Sequence, residues 1–121
     1  MNLAMVLSMF LSIIVIQTLP ELRREVLNIL DTVTGPAAVE PGCLGCSVLE
    51  EPGDDRKIFY IERWRSEEEM QHHIRSSLYL RVLNALELSS LAPEVEFYEY
   101  SGGNGLELIR SLRSMESGHM A

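Results

Sequence analysis

The sequence predicts an α+β domain with the element order β-α-β-β-α-β and a short helical tail. Three observations carry this. An uncharged, β-branched run opens the chain. Two stretches begin with capping-box spacing and continue with helical periodicity. Three further apolar stretches, two of them joined by turn residues, complete the set.

Ile13-Ile14-Val15-Ile16 favours a strand buried on both faces. No charge occurs from Met1 to Pro20, and Leu3 to Ile16 is largely apolar, so a targeting or membrane segment is the competing reading. The run lacks the basic start and small-residue cleavage site of a signal peptide. Asn2, Ser8, Ser12 and Gln17 interrupt it as a spanning helix. A paired strand is the expectation.

Thr18 and Glu21 have capping-box spacing, with Pro20 tolerated in the first turn. Leu22, Val26, Ile29, Leu30 and Val33 then share one helical face, and Gly35-Pro36 is expected to stop the helix. Cys43 to Glu50 reads as a strand, Glu51-Pro52-Gly53-Asp54-Asp55 as a turn, and Lys57 to Arg65 as its hairpin partner. Ser66 and Glu69 open the second helix. Met70, His73, Ile74, Ser77 and Leu78 lie along one side, and a break is expected near Ser76-Ser77. Val95 to Tyr100 is the last strand. Gly102-Gly103-Asn104-Gly105 is a joint, and Leu106 to Met115 forms a terminal helix. Residues 1–101 thus read as one ferredoxin-like domain and 102–121 as joint and tail. Both helices cover one sheet face. The other face is apolar and needs a cover, for which a second copy is the expected partner; whether dimers stack further stays open.

The 121 residues suit one domain, and the formal net charge of -8 argues against nucleic acid. No membrane partner is expected, because no long basic run is present. Two cysteines, Cys43 and Cys46, are too few for a disulfide scaffold and fit a cytoplasmic protein. Neighbours so close on a strand should point to opposite faces, and the CxxC they spell lacks the helix N-terminus of a redox pair. No metal is expected, since only His72, His73 and His119 could join them, at irregular spacing.

Strand alternation places Tyr60, Glu62 and Trp64 on one face, where they could hold a planar aromatic ligand. His73 lies on the apolar side of its helix and titrates in the range of a general base. Glu62 is a second candidate base if burial raises its pKa. Ser12, Ser76 and Tyr79 are candidate lining residues. Each has a packing alternative, with Trp64 as core and His73 as a buried, hydrogen-bonded histidine.

Pro41-Gly42-Cys43-Leu44, Tyr60-Ile61-Glu62-Arg63-Trp64 and His73-Ile74-Arg75-Ser76, in this element order, resemble the antibiotic biosynthesis monooxygenase (ABM) family from about Phe10 to Tyr100. The resemblance implies a dimeric α/β barrel and cofactor-independent oxygenation of a small quinol or hydroxylated aromatic. With that reaction, His73 and Glu62 are the catalytic candidates and Trp64, Tyr60, Ser12, Ser76 and Tyr79 the substrate-binding ones. Family monooxygenases often carry an amide where this first strand offers only Ser12, and an aromatic residue where it has Cys46. Leu83 falls where a haem-degrading branch has its axial histidine, so haem is not an expected cofactor. A non-catalytic small-molecule-binding or assembly module of the same fold is the competing reading.

Overall fold

The computed structural model describes residues 8–119; Met1 to Leu7, including the start of the apolar run, lie outside the described residues. The elements are β1 (Ser8–Gln17), a 3-10 turn (Pro20–Leu22), α1 (Arg23–Ala38), β2 (Cys43–Glu50), β3 (Lys57–Trp64), α2 (Glu67–Arg75), α3 (Tyr79–Glu87), β4 (Glu94–Ser101) and α4 (Gly105–His119). The strands form one sheet of order β2-β3-β1-β4, antiparallel throughout. This is the expected ferredoxin-like arrangement. Among the described residues no helix is long and apolar enough to cross a membrane.

Alternation along each strand separates two faces. Ile14 and Ile16 of β1 and Ile58 and Tyr60 of β3 point at the helices and are fully buried with Val26, Leu30, Val33, Val82 and Ala85. The opposite face carries Leu11, Ile13 and Val15 beside Phe59 and Ile61, all half-buried.

Three local expectations change. Thr18 does not cap α1: its hydroxyl donates to the Leu88 carbonyl at 2.9 Å, tying the end of β1 to the end of α3. The helix begins instead through the 3-10 turn containing Pro20. Gly35-Pro36 does not stop α1, which runs to Ala38. A proline inside a helix leaves the carbonyl four residues back without its usual donor. That carbonyl belongs to Thr32, and Arg81 Nη1 of α3 donates to it at 3.3 Å. Finally, Cys43 and Cys46 do not alternate. An irregularity between Cys43 and Gly45 sets Cys43 opposite Trp64 and Cys46 opposite Glu62, so both thiols share the helix-facing side. Both are free.

The second helix follows its signals. Ser66 Oγ accepts from the Glu69 amide at 3.2 Å and donates to Glu69 Oε1 at 2.9 Å. Ser76 is extended and splits the segment into α2 and α3. Gly42, at φ +80°, turns the chain into β2, and a Cβ there would sit 2.2 Å from the Glu69 carboxyl.

Candidate functional site

The helix-facing ends of β3 and α2 meet in a buried polar cluster. Tyr60, Glu62 and Trp64 alternate onto this face, and His73 enters from the last turn of α2. Glu62 is only 1 % exposed. A carboxylate at that depth needs donors to replace water. It has three: Trp64 Nε1 at 3.1 Å on Oε1, and the Tyr60 hydroxyl and His73 Nε2, the latter at 2.7 Å, on Oε2. His73 Nδ1 in turn pairs with Glu40, in the turn after α1. The Cys46 thiol donates to the Tyr60 oxygen at 3.2 Å. The His73 ring lies against Trp64, centroids 4.8 Å apart, and meets Tyr79 edge-on at 5.3 Å.

The electrostatics follow from this packing. Burial alone would lower the pKa of His73, but hydrogen bonding to Glu62 and the charges of Glu62 and Glu40 outweigh it and raise it. A carboxylate at each ring nitrogen favours the protonated form of His73. Burial pushes Tyr60 upward, reinforced by the neighbouring Glu62 charge. It likewise pushes Tyr79 and the Cys46 thiol up to about 12.

Of the residues singled out in the sequence, Tyr60, Glu62, Trp64, His73 and Tyr79 come together. Ser12 joins them from β1, directly opposite Glu62, with its hydroxyl buried and without a hydrogen-bond partner among the described residues. Ser76 is placed differently: its hydroxyl donates to the His73 carbonyl at 2.6 Å, ending α2. Two participants were missed. Glu40 sits in a turn where periodicity says nothing. Cys46 is brought to this face by the strand irregularity. Phe97 of β4 lies opposite Ser12 and is 49 % exposed, so the row Cys46–Glu62–Ser12–Phe97 runs from the core to an uncovered edge. A concavity of about 720 Å³ lies elsewhere. It adjoins the β2–β3 hairpin, at the other end of β3, and is lined by Arg23 and the segment 50–55.

A four-stranded sheet backed by helices, with a Glu-x-Trp strand and a histidine from the following helix, defines a ferredoxin-like α+β protein with a polar site between sheet and helices. Residues 9–85 match the family described as antibiotic biosynthesis monooxygenase, and the chain belongs to that family. A conserved protein from Methanosarcina mazei Go1 superposes with a TM-score of 0.70 at 22% identity, covering 77% of this chain and 93% of that one. Rv0793 from Mycobacterium tuberculosis gives 0.66 at 23% identity, with coverage of 79% and 96%. A solved antibiotic biosynthesis monooxygenase gives 0.69 at 17% identity, with coverage of 77% and 99%. These likenesses establish the fold. The uncharacterized protein sll1783 of Synechocystis sp. (strain ATCC 27184 / PCC 6803 / Kazusa) is 24% identical over 85 residues, 69% of this chain. The match spans 58% of that curated relative's length.

Proposed function

We propose that this protein is a cofactor-independent monooxygenase of a small quinol or hydroxylated aromatic, working at the Glu62 cluster. The observation that carries the reading is the buried, unpartnered Ser12 hydroxyl facing Glu62. A buried hydroxyl without a partner costs free energy, and a ligand hydroxyl at that spot would satisfy it. Among the described residues Glu62 Oε1 accepts from Trp64 alone and has capacity for a second donor.

A phenolic substrate would enter over the uncovered β4 edge, past Phe97 and Val95, and stack near Trp64. Glu62 then takes its hydroxyl proton. His73 does not take the substrate proton in this scheme, because both its nitrogens are engaged by carboxylates. The ionised ring supplies the electrons to dioxygen. One oxygen atom replaces two hydrogens at a ring carbon as a carbonyl, and the other leaves as water.

Self-association belongs to the same reading. The open face of Leu11, Ile13, Val15, Phe59 and Ile61 suits burial against a second copy. Aerobic turnover across a panel of quinols and hydroxyanthrones tests the activity. Oxygen uptake with quinone formation is expected.

The second reading, a binding module without chemistry, is favoured by one observation: His73 and Tyr60 are already satisfied inside the protein. Trp64 is the one tryptophan in the sequence and reports occupancy by fluorescence. Quenching by quinols without oxygen uptake would select this second reading.

A further inference from the structure

Two hydrogen-bonded branches leave Glu62 toward the surface among the described residues. One runs through Tyr60 to Cys46. The other runs through His73 to Glu40, whose side chain is 22% exposed. The first branch is a poor route for a proton, because burial holds Tyr60 and Cys46 firmly in their neutral forms. The second contains an imidazole, a group that exchanges protons near neutrality, between two carboxylates.

We propose that Glu40 is the solvent-facing member of a Glu62–His73–Glu40 relay, holding His73 charged and taking its Nδ1 proton when Glu62 gains one. This rests on reading the Glu62 cluster as the reactive site. Against His73 stand Glu62 on β3, Tyr79 on α3 and Glu40 in the turn after α1, with Tyr60 sharing the Glu62 oxygen and Cys46 bonded to Tyr60; none of these is a cation. At rest, Nε2–H donates to Glu62 and Nδ1–H to Glu40, and the three groups together carry one negative charge. When a substrate proton arrives on Glu62, the attraction that held the second proton on the ring is halved. The Nδ1 proton passes to Glu40. Substrate and relay together still carry one negative charge, now on the ionised ring, so no net charge is added at this depth; the outer carboxylate holds the displaced proton. Glu40 is therefore a positioning residue: it touches His73 and not the substrate.

Side-chain nitrogen and carbon NMR of the histidines in the full chain tests this without any substrate. His72, exposed on the same helix, is the internal reference. In the unmodified protein both His73 nitrogens should be protonated at neutral pH. Glu40→Gln keeps an acceptor for Nδ1–H but removes the charge, so its Nδ1 proton should be lost at lower pH. Glu40→Asp, which restores a charge, should move the titration back toward that of the unmodified protein. Glu62→Gln mimics the protonated inner carboxyl, and neutral His73 should then keep its proton on Nε2. Superimposable His73 titrations in the unmodified protein and Glu40→Gln would overturn the relay, as would a neutral Nδ1–H tautomer in Glu62→Gln. Should Glu62→Gln fail to fold, the Glu40 pair decides alone. Lack of turnover on every quinol would remove the oxygenase reading and leave these titrations standing.

Discussion

Replacing Tyr60 by Phe removes one oxygen from the middle of the buried cluster and nothing else. That hydroxyl donates to Glu62 Oε2 and accepts from the Cys46 thiol, and the residue is fully buried. A hydrogen bond to a charged acceptor contributes roughly 1.5–3 kcal/mol, and the thiol bond adds little. Glu62 keeps Trp64 and His73, so its charge is not abandoned. The net loss should be about 2 kcal/mol, a fall in Tm of roughly 6–10 °C for a domain of this size. Urea denaturation of the unmodified protein, Tyr60→Phe, Glu62→Gln and the double variant measures it. The coupling term of that cycle should be favourable, because Tyr60 faces a neutral amide in the Glu62→Gln background. A Tyr60→Phe protein as stable as the parent, or a coupling of zero, would refute the view that three donors solvate this carboxylate.

Other consequences can be checked together. Gly42→Ala forces a positive φ on a side chain whose Cβ would meet the Glu69 carboxyl at 2.2 Å. It should cost about 1–3 kcal/mol, read by denaturation, whereas Gly35→Ala, with open space at its Cβ, should not destabilise. His73 has its folded pKa raised, so its contribution is complete below the unfolded value and is lost as pH rises through the folded one. Between about pH 6 and 8.5 the parent should therefore lose stability relative to His73→Gln; staying below the thiol range avoids Cys43 and Cys46, whose raised pKa values act only above it. Ile13→Glu, on the half-buried open face, should shift sedimentation from dimer toward monomer with the far-UV spectrum retained.

The order and pairing of the strands were legible because each strand carries its own period and the hairpin its own turn residues. Ser66 and Glu69 marked α2 without ambiguity, since that cap is local. Thr18 carried the same signal and was misleading: its hydroxyl is taken by Leu88, seventy residues away in sequence. Pro36 misled for a similar reason, because the carbonyl it frees is satisfied by Arg81 from another helix. Within the site, β3 alternation placed Tyr60, Glu62 and Trp64 correctly on one face, and helical periodicity brought His73 toward them. Glu40 was invisible, since a turn residue has no period to betray what it faces. Cys46 was misjudged with Cys43 because one irregular residue reverses the alternation that pattern reading assumes.

Oxygenation without a cofactor at the Glu62 cluster is tested most directly by isotope transfer from labelled dioxygen. A hydroxyanthrone is supplied to the purified, cofactor-free protein under ¹⁸O₂, and the quinone is weighed by mass spectrometry alongside Glu62→Gln. One labelled oxygen per product, formed by the parent and lost in the variant, is the predicted result. Product carrying label at the same rate with and without the Glu62 carboxylate would contradict it.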